Sequence, residues 1–369
     1  MRLKYDVVVV GAGHAGCEAA SAAARLGSRT LLITIDMEKM ASMSCNPAVG
    51  GVAKGQIVRE IDALGGRMGR ITDLSTIQFR MLNRSKGAAM WSPRAQCDKA
   101  EFSRAWRREL ENTQNLYLWQ DSVCGLLLDH SEGRCAVRGV KTRMGVEIEC
   151  QKLILTVGTF LEGMMHCGEA SAEGGRAGDE AAHGITAQLR SEGFEAGRMK
   201  TGTPARLDAR TINFDALELQ EGDAEPSKFS YDDDTQAVKN QLPCFMVYTS
   251  KQVHDILRRY TTFYARASTA RHSLRGASRV SAHATAQVSR ISSAPLPIRN
   301  NTSSSSSPRV AIPTSTTSMA SPHRYPTRCS SMHYTISWVL RMYTSTAQDM
   351  LSNTTTSHLR SCDTPSRQS

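Results

Sequence analysis

The chain has 369 residues and a formal net charge of +10 at pH 7; that length accommodates two ordinary domains and a large buried core. No signal-type leader opens the sequence and no apolar run approaches the roughly 20 residues of a membrane span, so a cytoplasmic protein with no membrane association is expected. Its ten cysteines include no CxxC and no close Cys/His pairing of zinc type, which points to neither a metal site nor a disulfide framework.

The segment YDVVVVGAGHAGCEAASAAARLGSRTLLITID reads as strand, glycine turn, helix and strand, the context that gives a G-x-G-x-x-G match its meaning. Gly11 permits the tight turn and Gly13 lets the backbone approach a pyrophosphate. Gly16, with Ala15, Ala19 and Ala20, lets the helix pack closely on the sheet. Ala12, His14 and Ala15 complete the turn that aims the helix N-terminus at the anion. An acidic residue at the end of the second strand would bind the ribose hydroxyls, and Asp36 lies about twenty residues on; Glu38 is close, and either acid also reads as a solvated loop residue.

Residues 43–66 and 77–99 are dense in Gly, Pro, Ser and Arg and read as ligand-contacting loops set between helices. Cys45 sits in the first, where a nearby helix N-terminus would lower a thiol pKa; a buried inert thiol is the alternative. The run QKLILTVGTF (151–160) reads as a strand that returns the chain to the dinucleotide fold, placing Thr156, Gly158 and Thr159 near a cofactor; an interior strand followed by a turn fits equally. Glycine- and basic-rich stretches follow at 174–179 and 197–212. Lys54, Lys86, Arg94, Arg176, Lys200 and Arg206 are candidate phosphate contacts, each equally readable as a surface charge.

The composition changes at Arg258. From there the chain holds fourteen Arg, no Lys, no Glu and only Asp349 and Asp363, a net +12 that leaves −2 for residues 1–257. Gly276 is the one glycine past Arg259, and Ser303 to Ser307 form a homopolymer. Residues 258–369 therefore read either as a disordered Arg/Ser-rich arm able to touch RNA or as the product of a reading-frame change near Arg258.

Taken together, SCNPAVGG, LNRSKGAAMWSPRAQCDK, GGRAGD and KTGTPAR, following the glycine turn in this order, resemble the MnmG (GidA) family from Tyr5 to about Leu257. The resemblance implies an α/β fold: a Rossmann-like FAD-binding domain of the two-dinucleotide-binding flavoprotein type with an inserted region. Residues 1–257 would form that domain, incomplete, and 258–369 a low-complexity tail that is not a native domain. It further implies FAD-dependent modification of uridine 34 of tRNA to the 5-aminomethyl or 5-carboxymethylaminomethyl form, with the GTPase MnmE as partner and a homodimeric assembly. NADH and methylenetetrahydrofolate are the implied co-substrates. By position, Gly11 through Gly16 match FAD-binding residues, Val123 a residue touching the adenine, and Cys45 the first of two cysteines linked to activity. Ala182 stands where the family has a serine that touches FAD. The family's later NAD-binding stretch, closing FAD segment and helical tRNA-binding domain are not legible after Leu257, so an inactive, truncated or frameshifted form is expected. The alternatives are a folate- and FAD-dependent tRNA uridine methyltransferase, a non-catalytic RNA-binding product with a basic arm, and a generic FAD oxidoreductase.

Overall fold

The structure, a computed structural model, describes residues 3–44, 46–131, 135–167, 170–201, 209, 212–248, 309–313 and 351–357. Cys45 and Arg206 lie outside the described residues, as does the 258–369 segment apart from two strands.

Four consecutive valines open the fold in β1 (Leu3–Val10). Successive strand side chains point to opposite faces, so such a run suits a strand covered on both sides. Val8 and Val10 accordingly pack with Leu31, Ile33 and Ile148, while Val9 packs with Cys17, Ala20 and Leu32. Helix α1 (His14–Arg25) leads to β2 (Thr30–Thr34), all five residues of which are buried. β1 pairs in parallel with β2, as does β6 (Leu116–Gln120) on the far side of β2. On its other edge β1 pairs in parallel with β9 (Glu147–Leu155), which carries the antiparallel strands β7 (Val123–Asp129) and β8 (Ala136–Thr142), giving the order β6-β2-β1-β9-β8-β7. This is the α/β fold with a parallel core expected from the sequence. The 151–160 run divides at Leu155: strand to that point, then a turn carrying Thr156 and Gly158.

The stretches 43–66 and 77–99, read from sequence as loops, hold more regular structure than that. β3 (Ala48–Gly50), β4 (Thr76–Leu82) and β5 (Ser92–Cys97) make a three-stranded antiparallel sheet in the order β3-β5-β4. Between β3 and β4 come α2 (Lys54–Ala63) and α3 (Met68–Ser75); α4 (Lys99–Glu111) follows β5. The glycines that suggested loops are packing glycines. A Cβ on Gly55 would lie 2.4 Å from the Pro93 carbonyl oxygen, and Gly50, at φ +81°, has that same oxygen 2.2 Å from its own Cβ position.

Later in the chain β10 (Met164–Cys167) and β11 (Ala170–Glu173) pair antiparallel, α5 (Ile185–Ser191) leads to β12 (Ala196–Thr201), and β16 (Leu351–Ser357) pairs antiparallel with β12. A second compact unit contains the antiparallel sheet β13 (Glu218–Gln220), β14 (Cys244–Tyr248) and β15 (Arg309–Pro313). Segment Asp223–Gln241 belongs to the first unit.

An acid in α1 starts α3. The Glu18 carboxylate accepts the backbone N–H groups of Arg67, at 2.9 Å, and Met68, at 2.5 Å, supplying the cap that Arg67 does not provide through its own side chain. Burial raises the Glu18 pKa, and the two accepted hydrogen bonds with the charges of Arg25 and Arg67 oppose this without cancelling it. The folded chain therefore holds the Glu18 proton over a range in which the unfolded chain has lost it. Stability falls as pH climbs from the unfolded carboxylate pKa, about 4.3, through the raised folded value. In Glu18→Gln, which keeps an acceptor for the N–H groups, urea unfolding at several pH values should show a shallower decline across that window; an unchanged slope would remove Glu18 as its source.

Candidate cofactor-binding site

The glycine turn is locked by the end of β9. Gly11 turns with φ +99°, and its N–H donates to the Ile33 carbonyl at 2.8 Å. The Thr156 N–H donates to the Val10 carbonyl at 2.8 Å, and the Thr156 hydroxyl lies 2.9 Å from the Val10 oxygen and 2.8 Å from that of Gly11. A Cβ on Gly11 would sit 2.5 Å from the Thr156 carbonyl oxygen, and one on Gly16 would sit 1.8 Å from the Gly11 oxygen and 2.6 Å from Thr156 Oγ1. Both glycines are thus fixed by the protein's own packing.

Gly13 is different. Its φ of −73° is open to any residue, and a Cβ there would meet nothing within 4 Å. It is exposed, as is Ala15, and it precedes the first turn of α1, which has no side-chain cap. The N–H groups of a first helical turn lack intrahelical acceptors and favour an anion. An uncapped helix start beside a bare glycine face therefore fits a pyrophosphate. Ala12 is buried and its carbonyl accepts the Ala41 N–H at 2.8 Å and the Cys17 thiol at 3.4 Å. Burial pushes the Cys17 thiol up to about 12, so it is an inert packing group. The His14 ring meets Phe102 edge to face at 5.6 Å, and burial lowers its pKa, so the imidazole is neutral near pH 7.

Asp36 lies just past β2, and its carboxylate is engaged locally. One oxygen accepts the Glu38 N–H at 2.8 Å and the other lies 3.1 Å from Lys39 Nζ. Lys39 also pairs with Asp179, the last residue of GGRAGD, which Arg176 holds at 2.6 Å. Burial raises the Asp179 pKa, but hydrogen bonds from Lys39 and Arg176 outweigh it and hold the carboxyl below its usual range. Lys39 thereby ties the 174–179 loop to the end of β2, a link that no local sequence signal announces.

Val123 is buried at the start of β7. It follows directly on a segment whose Asp121 N–H donates to the Thr34 carbonyl at 3.0 Å and whose Gln120 side chain accepts the Met37 N–H at 3.3 Å. The residues matched to adenine and to ribose thus border the same strand end. Gly158, exposed and at φ +56°, follows Thr156 in the return turn. Ala182 is buried, its N–H donating to the Phe160 carbonyl and its carbonyl accepting from Glu162, both at 2.8 Å. Its methyl group offers no side-chain hydrogen bond. Of the candidate phosphate contacts, Lys54 and Lys86 are exposed, Arg94 is half-buried, and Arg176 stacks on the Phe160 ring at 5.7 Å. The glycine turn, Asp36, Thr156 and Gly158 follow the carboxyl ends of β1, β2 and β9, where open parallel sheets bind ligands, and Val123 comes two residues after Asp121, which bonds to the end of β2.

The sequence profile of the family described as "Glucose inhibited division protein A" (GIDA) matches residues 6–283. The chain belongs to the GidA family. It is 59% identical over 257 residues to the "tRNA uridine 5-carboxymethylaminomethyl modification enzyme MnmG" of Porphyromonas gingivalis, a match covering 70% of this chain and 40% of the relative. The MnmG of Bacteroides thetaiotaomicron is 56% identical over 258 residues, again covering 70% of this chain and 40% of the relative. Among solved structures, Aquifex aeolicus GidA in its form II crystal superimposes with a TM-score of 0.66 at 44% identity, covering 69% of this chain and 43% of that one. The chain therefore spans about 40% of the length of the curated relatives it matches.

Proposed function

We propose that residues 3–248 carry the FAD-binding part of an enzyme that modifies the wobble uridine of tRNA to its 5-aminomethyl or 5-carboxymethylaminomethyl form. The observation that carries this reading is the open face of Gly13 at an uncapped helix start, inside a turn whose other two glycines are fixed by Thr156 and by the Gly11 carbonyl. In this reading the backbone from Gly11 to Gly16 binds the pyrophosphate, Asp36 and Val123 border the ribose and adenine, and Thr156 and Gly158 shape the wall toward the flavin. Cys45 is the proposed reactive thiol. Bound FAD would supply the redox chemistry that links NADH to the one-carbon unit of methylenetetrahydrofolate. The MnmE GTPase, a second copy of the chain and a cytoplasmic setting complete the proposal.

The same reading assigns the change of composition at Arg258 to a change of reading frame, since Lys and Glu vanish there together. In that reading the residues before Arg258 meet the ADP half of FAD, and residues 258–369 do not close over the flavin. FAD is expected to bind no more tightly than ADP, and purified protein to carry little flavin. A stoichiometric flavin spectrum would overturn the expectation. Sequencing the coding DNA across Arg258 decides the frame: neither alternative frame encoding a continuing α/β pattern would dismiss it. Failure to bind ADP at all would remove the dinucleotide reading itself.

A further inference from the structure

We propose that His130, Cys135 and Glu192 form a binding site for a divalent zinc-class cation, joining the β7–β8 hairpin to the C-terminal end of α5. The spacing of these residues in sequence does not suggest it; the register of the fold does.

β7 and β8 pair antiparallel, with Leu128 opposite Val137 and Asp129 opposite Ala136. Continued by one step, that register sets His130 opposite Cys135. Directly opposed strand residues share a face, with Cβ atoms about 4.5–5.5 Å apart. An ion pair across the hairpin base, Arg138 to Asp129 at 2.7 Å, holds the two strand ends together.

The third ligand comes from α5. The Gln188 side-chain amide docks on the backbone of β7, accepting the Leu126 N–H at 2.6 Å and donating to the Leu126 carbonyl at 3.2 Å. Glu192, the C-cap of α5, stands four residues further on, on the same side of the helix, and so reaches the hairpin end. Its carboxylate lies 3.4 Å from His130 Nε2. The candidate ligand atoms of all three residues lie within 4.8 Å of one another.

Those distances suit tetrahedral coordination. Nitrogen and oxygen ligands about 2.0–2.1 Å from zinc at the tetrahedral angle lie about 3.4 Å apart. An imidazole, a thiolate and one carboxylate form a borderline-soft set that favours zinc over calcium or magnesium. Cys135 is a free, exposed thiol and His130 is exposed, which leaves the fourth position to water. A cation there also sits at a helix C-terminus, the end that favours positive charge.

A cysteine binds a metal ion as its thiolate, so coordination displaces the thiol proton. Affinity should therefore rise with pH.

The test uses the full chain and Zn²⁺ alone, with alkylation of Cys135 followed by peptide mass analysis. Zn²⁺ is expected to slow Cys135 alkylation about tenfold or more, because a coordinated thiolate is a poor nucleophile. The protection should weaken from pH 8 to pH 6 and should disappear in His130→Ala and in Glu192→Gln, both of which retain the thiol. Cys124→Ser should keep it. Equal alkylation rates with and without Zn²⁺, or full protection persisting in both ligand variants, would overturn the site.

Discussion

Gly13→Ala is expected to leave the protein folded while weakening nucleotide binding, whereas Gly16→Ala should damage both. At Gly13 a methyl group enters open space on a backbone that alanine adopts freely, and the stability change should stay within about 1 kcal/mol. The methyl would occupy the path by which the pyrophosphate reaches the helix N-terminus, and ADP affinity should fall about tenfold or more. At Gly16 the methyl would stand 1.8 Å from the Gly11 carbonyl oxygen and 2.6 Å from Thr156 Oγ1. Neither the turn nor the strand end beside it has slack, and about 3 kcal/mol of destabilisation is expected. Thermal melts paired with ADP titration separate the two. Equal loss of stability in both variants would show that Gly13 serves the fold rather than a ligand.

That contrast shows where sequence reasoning reached and where it stopped. The pattern VVVVGAGHAG is local, and its strand, turn and helix are fixed within one short segment by steric rules. Even so, the partner that makes Gly11 obligatory is Thr156, which the motif does not contain and which also crowds Gly16 behind the Gly11 carbonyl. Other parts of the site had no local signal at all. Lys39, paired with Asp36, reaches Asp179 across 140 residues, and Glu18 caps a helix 49 to 50 residues away. The 43–66 and 77–99 stretches looked like loops because glycine and proline punctuate them. Gly55, though, is where α2 crosses Pro93, a tertiary contact that composition cannot distinguish from a turn.

A second long-range contact should have the larger effect on the region around β3. Asp73 of α3 accepts the N–H groups of Phe229 at 2.7 Å and Ser230 at 2.9 Å, and the Thr235 hydroxyl at 3.2 Å. Asp62 of α2 accepts the Tyr231 N–H at 2.8 Å and the Ser230 hydroxyl at 3.2 Å. The two acids clasp the 229–235 backbone and set Phe229, 1% exposed, edge to face against Phe79 at 6.0 Å. The same ring lies under Gly50, where a Cβ would come within 2.7 Å of it. Removing the carboxylate in Asp73→Ala leaves two backbone donors without their acceptor, and a loss of about 2–4 kcal/mol in urea unfolding is expected. Because Asp62 still grips the neighbouring residues, the segment should stay docked in that variant. It should open to limited proteolysis only when Asp62→Ala is added, with the two effects departing from additivity. A loss below about 0.5 kcal/mol for Asp73→Ala would mean that water replaces the carboxylate. Phe229, and with it β3, would then be held by apolar packing and by the grip of Asp62 on Ser230 and Tyr231.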